Sequence, residues 1–196
     1  MMACSKSRTD SSMMSIVIIC FALIGAVLLQ MPAAVVAGDG GGGGMHHLHF
    51  YMHEKDAGPN STAVVVVNCT GPPLPAGRGS YGCFGDTRVV DDVLTAAPDR
   101  ASRAVGRVQG MHVMASRESS VLFMSLTVVL TDYPPYTGST VVVVGRNDLL
   151  SPARELPVVG GTGSFRMAAG YALFKTKSWS SDYHDVVLEL DVFVRA

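Results

Sequence analysis

The chain has 196 residues, 48 % hydrophobic and 16 % charged, and its 15 basic and 16 acidic side chains leave a formal charge of −1. No Lys/Arg cluster offers a footprint for a phosphate backbone and no block of like charge reads as a tail, so nucleic acid is not expected as a partner. The length suits one domain around one core.

Lys6 and Arg8 precede an apolar run from Ile16 to Met31, which leads into Pro32-Ala-Ala-Val-Val-Ala37. That order is the basic, apolar and small-residue succession of a secretory signal peptide, with Val35 and Ala37 at the −3 and −1 places. The run is shorter than the roughly 20 residues a membrane helix needs, so a signal peptide over residues 1–37 is expected rather than an anchor, and the mature protein is expected outside the cell, free of the membrane. Cleavage there would remove Cys4 and Cys20 and leave Cys69 and Cys83 in an oxidising compartment. Two outcomes are open for them: two buried thiols, or a disulfide closing a loop of about 15 residues, worth about 3 kcal/mol.

Residues 38–45 form a glycine-rich leader, and the packed domain is expected over 46–196. From His46 the pattern alternates: His47, His49, Tyr51 and His53 share one strand face, with Leu48, Phe50 and Met52 on the other. Lys55 to Thr62 is turn chemistry, and Ala63 to Asn68 is a β-branched strand. Asn60-Ser-Thr and Asn68-Cys-Thr both satisfy the glycan acceptor pattern, with Asn60 the better placed. A Gly/Pro-rich loop over Thr70–Gly82 follows, then strands at Cys83–Val93, Val105–Ala115, Ser120–Thr131, Ser139–Gly145, Phe165–Thr176 and Tyr183–Arg195. Pro157-Val-Val-Gly-Gly-Thr-Gly163 reads as a tight bend between two of them. No helix N-terminus follows these glycines, which argues against a phosphate cradle. Eight antiparallel strands with Gly/Pro/Asp turns predict an all-β barrel or sandwich. Val64–Val67 and Val141–Val144 are apolar on both strand faces, which suggests subunit interfaces.

His47-x-His49-x4-Glu54 has the spacing of the first cupin metal motif, but Pro75-Ala-Gly77 leads to Arg78, Gly79 and Ser80 where a further histidine would be needed. Ordinary strand histidines are the better reading, and no metal and no cofactor is expected. No G-x-S-x-G elbow is present, so a serine nucleophile is not expected either.

Three stretches, in order, resemble the plant dirigent family: His47-Leu-His-Phe-Tyr-Met-His-Glu54, Val105-Gly-Arg-Val-Gln-Gly110 and Pro157-Val-Val-Gly-Gly-Thr-Gly-Ser-Phe-Arg-Met-Ala-Ala-Gly170. The resemblance implies an eight-stranded antiparallel β-barrel with a central pocket, assembled as a trimer or dimer. It also implies a function: imposing stereoselectivity on the coupling of phenoxy radicals that a separate laccase or peroxidase makes from a monolignol such as coniferyl alcohol, for lignan or defence phenolics. No oxidative activity of its own follows, although assistance of quinone-methide cyclisation does. Glu54 and Asp92 are the candidate pocket carboxylates, with Asp91 turned to the opposite strand face. Arg107, His112, Ser164 and Tyr171 are the candidate pocket residues. Ser164 and Ala169 stand where the pinoresinol-forming members carry aspartate and arginine, and this loss of charge raises the alternative of a non-catalytic barrel that binds phenolics or serves in cell-wall assembly or stress response.

Overall fold

The computed structural model describes residues 44–69, 82–180 and 184–196. The proposed signal peptide and nearly all of the leader lie outside the described residues. Among the described residues nine strands follow one another: β1 (His46–Lys55), β2 (Ala63–Val67), β3 (Thr87–Thr95), β4 (Ala104–Met114), β5 (Val121–Leu130), β6 (Thr140–Asp148), β7 (Arg154–Thr162), β8 (Ala169–Trp179) and β9 (Asp185–Arg195). A single 3-10 turn, Gly163–Phe165, separates β7 from β8.

Every neighbouring pair is antiparallel, and the order β1-β9-β8-β7-β6-β5-β4-β3 closes on itself because β1 also pairs with β3. The result is an eight-stranded barrel with one strand added. The added strand is β2. It pairs with β3 at Ala63↔Val90 and Val64↔Val89, whereas β1 takes the other half of the same β3 edge at Tyr51↔Thr95 and His53↔Val93. Thus β1 and β2 lie end to end along one strand.

The predicted count of eight therefore arises from two offsetting differences. The Ala63–Asn68 strand exists but stands outside the ring, and the expected bend at Pro157–Gly163 is mostly strand, with β7 running through Gly160 and Gly161. Glycine hid this strand because it carries no side chain to alternate. It is required there by close approach: a Cβ on Gly161 would sit 2.2 Å from the Thr140 carbonyl oxygen. The turn itself falls at Gly163, whose φ of +62° is in the left-handed region that suits glycine.

Period-two alternation decides what faces inward. Along β5, Leu122, Met124, Leu126, Val128 and Leu130 are buried while Phe123, Ser125, Thr127 and Val129 face out. Leu48, Phe50 and Met52 do the same on β1, and Leu188, Leu190, Val192 and Val194 on β9. These side chains merge into one core. At the rim holding the β3–β4 and β5–β6 connections, Tyr136 Oη meets His46 Nδ1 at 2.9 Å and packs with Phe165 at 5.0 Å between ring centres. Aromatic side chains line that rim.

Cys69 and Cys83 are joined in a disulfide, with 5.9 Å between their Cα atoms. Of the two valine runs, Val141 and Val143 are buried in the barrel while Val142 and Val144 face out. Val64 to Val67 are all exposed.

Candidate functional site

The inward row of β3 is Arg88, Val90, Asp92 and Leu94, and that of β4 includes Val108 and His112, because Arg88 stands opposite His112 and Asp92 opposite Val108. On β1 the inward row ends at Glu54. The β1–β3 register, Met52 opposite Leu94 and His53 opposite Val93, brings Glu54 alongside Asp92. Glu54, Arg88 and His112 lie toward the rim formed by the β4–β5, β6–β7 and β8–β9 connections. Asn147 on β6 and Arg154 on β7 reach the same side of the interior. A polar group thus occupies positions that strand alternation otherwise gives to Leu, Val and Phe.

Burial sets the electrostatics of this group. Asp92 is fully buried, and neither carboxyl oxygen meets hydrogen-bond geometry with a described residue. Its pKa is pushed up from 3.8 to about 8, first by burial and then by the charge of Glu54; the nearby Thr62 hydroxyl offsets only part. Glu54 rises from 4.5 to about 7, by burial and then by Asp56, against the pull of Arg88. At neutral pH the interior therefore holds two carboxyl groups able to keep protons. His112 moves the other way, down to about 4, through burial and the nearby Arg88 charge, and is a neutral imidazole at neutral pH.

Arg88 is itself neutralised. Its Nη1 donates to Asp56 Oδ2 at 2.8 Å and its Nη2 lies 3.7 Å from Asp86 Oδ2; His184 contacts the other oxygen of Asp56 at 3.0 Å. Arg154 is different. It is buried, donates from Nη1 to Thr176 Oγ1 at 2.8 Å, and its Nε has no hydrogen-bond partner among the described residues. Burial lowers its pKa, and no described carboxylate stands within ion-pair distance of it. The Oδ1 of Asn147 is likewise buried without a partner among the described residues. These atoms suit ligand oxygens: Arg154 donates, the carboxyls donate while protonated, and Asn147 Oδ1 accepts from a ligand hydroxyl.

Of the residues expected from sequence, Glu54, Asp92 and His112 come together here. Arg107 does not. It lies on the outer face of β4, where its Nε donates to Asp91 Oδ1 and its Nη2 to the Asp91 carbonyl at 2.8 Å. Asp91, the outward neighbour of Asp92, thereby loses its freedom to be a pocket group. Tyr171 is also outward, stacked on Phe193 at 5.0 Å. Ser164 is exposed in the 3-10 turn at the opposite rim, its backbone N–H donating to Ser139 Oγ at 3.0 Å, and Ala169 begins β8 nearby. Asn60 is exposed at a turn with φ of +64°, and Asn68 is exposed beside the disulfide. A groove of about 530 Å³ opens on the rim shared by His112, between the Ala115–Glu118 turn, Phe123 and Arg146.

Arg88, Asn147 and Arg154 were missed from the sequence. The available signal was phase: each falls in step with buried apolar positions, as in Arg154-x-Leu156-x-Val158. The cupin-like reading also changes. Glu54 points into the barrel while His47 and His49 point out of it, so these three cannot share an ion. The outward histidines instead meet Asp191 of β9.

The sequence model of a family described as Dirigent-like protein matches residues 45–195. Dirigent protein 21 of Arabidopsis thaliana is 41 % identical over 148 residues, covering 76 % of this chain and 75 % of that protein. Pterocarpan synthase 1 of Glycine max is 39 % identical over 150 residues, covering 76 % of this chain and 77 % of that one. Among solved structures, a pterocarpan synthase dirigent protein superposes with a TM-score of 0.69 at 37 % identity, over 78 % of this chain and 95 % of its own.

Proposed function

The chain belongs to the dirigent family, and from that premise we propose that it holds a phenol-derived quinone methide inside the barrel and directs its ring closure to one stereoisomer. The observation that carries this is the pair of inward carboxyls, Glu54 and Asp92, that the β1–β3 register sets side by side and burial holds well above the usual carboxylate range. A protonated carboxyl donates to the quinone-methide carbonyl oxygen and makes the exocyclic carbon more electrophilic. An internal hydroxyl of the substrate attacks that carbon, the carbonyl oxygen becomes a phenol with the donated proton, and the carboxylate left behind takes the proton of the attacking hydroxyl. The step is neutral in protons and electrons. Arg154 and Asn147 orient the oxygens of the substrate, and the apolar walls hold its rings. Selectivity comes from restricting which faces meet.

Two sources of substrate fit. One is the coupling of monolignol radicals supplied by a laccase or peroxidase; the other is a pterocarpan precursor, since pterocarpan synthases are 37–39 % identical to this chain over the aligned residues. We place the protein outside the cell as a homo-oligomer. The Cys69–Cys83 disulfide and exposed Asn60 support the first statement, and the outward Val142 and Val144 the second.

Coniferyl alcohol oxidised by a laccase, with and without the purified protein, tests the first source by chiral chromatography. A pterocarpan-forming precursor without oxidant tests the second. Enantiomeric excess that scales with protein and disappears in Glu54→Gln and Asp92→Asn is the expected result. Racemic product from both substrates at saturating protein would overturn the catalytic reading. It would favour a non-catalytic phenolic-binding barrel, the reading that the uncharged Ser164 and Ala169 support.

A further inference from the structure

The outer face of the β1–β9 pair carries a second polar cluster that the barrel interior does not explain. His49 stands directly opposite Asp191 in the ladder, and His47 precedes it by one pleat repeat. His47 Nε2 and His49 Nδ1 both lie 2.8 Å from the same oxygen, Asp191 Oδ1, and the three donor atoms are all within 4.8 Å of one another. We propose that His47, His49 and Asp191 form a site for a divalent first-row transition ion, Zn²⁺ or Cu²⁺, clamping β1 to β9.

The chemistry is that of two imidazoles and a carboxylate, a donor set suited to these ions and poorly suited to Mg²⁺ or Ca²⁺. Bonds of about 2.0–2.1 Å place tetrahedral ligands about 3.3 Å apart, so each ring needs to withdraw from Asp191 by well under an ångström. The surroundings already fix the ligands. The His47 ring lies flat on Phe193, 4.4 Å away with 1° between planes, and Phe193 stacks on Tyr171. The other nitrogen of His49 faces Tyr51 Oη at 3.3 Å and Glu189 Oε1 at 3.9 Å, which leaves Nδ1 to the ion. Lys175 Nζ holds the second carboxylate oxygen of Asp191 at 3.4 Å, leaving Oδ1 to the ion. Such outer partners are what orient metal ligands generally. His47 and His49 are partly exposed, so the fourth position opens to water.

Titration calorimetry with ZnCl₂ at pH 7.5 on the purified whole protein tests this. We expect one Zn²⁺ per chain, at least a tenfold loss of affinity in His49→Asn and in Asp191→Asn, and unchanged binding in His184→Asn. The unfolding temperature should rise with Zn²⁺ in the parent and stay fixed in the double variant His47→Asn/His49→Asn, because binding to the folded state alone stabilises it. Both histidines are on the surface, so this double variant keeps the test available if Asp191→Asn fails to fold. No uptake below about 1 mM, or uptake unaltered in the double variant, overturns the proposal.

Discussion

Replacing Asp92 by asparagine tests the electrostatics of the interior without reference to any substrate. Below pH 3.8 the carboxyl is protonated in both folded and unfolded chains, and it contributes no pH dependence. Between 3.8 and about 8 the unfolded chain ionises while the folded one keeps the proton. Unfolding then releases a proton, so rising pH favours the unfolded state; above about 8 both are ionised and the dependence ends. Each pH unit in this window is worth about 1.4 kcal/mol, so the wild type should lose about 2.7 kcal/mol relative to Asp92→Asn between pH 5 and pH 7. The asparagine amide brings a buried donor that costs about 1–3 kcal/mol, but that cost is the same at both pH values and cancels in the comparison. The variant should therefore be near-neutral in stability at pH 5 and about 2.7 kcal/mol more stable at pH 7. Urea unfolding of both proteins across pH 5 to 8 measures this. A constant gap, or one that shifts in favour of the wild type as pH rises, would refute a protonated Asp92.

Under the proposed function, the same carboxyls supply the acid for ring closure. Stereoselective closure should fall as pH rises through 7 and 8, where Glu54 and Asp92 lose their protons, and Glu54→Gln should lower the rate by about a hundredfold or more; a rate that climbs with pH would contradict the acid role. Gly161→Ala should cost more than about 2 kcal/mol, because its Cβ would sit 2.2 Å from the Thr140 carbonyl oxygen and 2.8 Å from that of Phe165. Thermal unfolding within a degree of the parent would show that the β6–β7 approach is looser than described. Arg107→Ala removes an exposed pair with Asp91 and should change stability by less than about 1 kcal/mol while leaving product stereochemistry intact. Loss of selectivity in that variant would place Arg107 back among the pocket residues.

Much of the fold is legible in the sequence because a barrel built from alternating strands writes its inside and outside into every second residue. Asp91 and Asp92 illustrate both the strength and the limit of that code. Adjacency shows that they point oppositely, but only the register with β4 shows that Asp92 faces Val108 inside while Asp91 is held by Arg107 outside. The partners of Arg107, Tyr171 and His49 lie on other strands, up to 142 residues away in the case of Asp191, and no local pattern specifies them. Ser164 was legible as a motif position, but its place at the far rim depends on where β7 ends. The glycines that conceal that strand are the same ones that make the motif recognisable.

The seam between β1 and β9 bears on how the barrel comes to exist. His46 pairs with Val194 and Lys55 with Asp185, so the first strand of the barrel finds its main partner only in the last. During synthesis, seven of the ring's strands can emerge with one sheet edge still open, and β1 has only its short contact with β3 until β9 leaves the ribosome. Contacts of such long sequence separation form late and slowly, because the loop they close is nearly the whole domain. Until then the nascent chain exposes unpaired strand edges, β1 with Leu48, Phe50 and Met52 and β8 with Leu173 and Phe174, the form most open to pairing with another chain. Truncation at either end of the domain should accordingly yield aggregated protein rather than a smaller, open barrel.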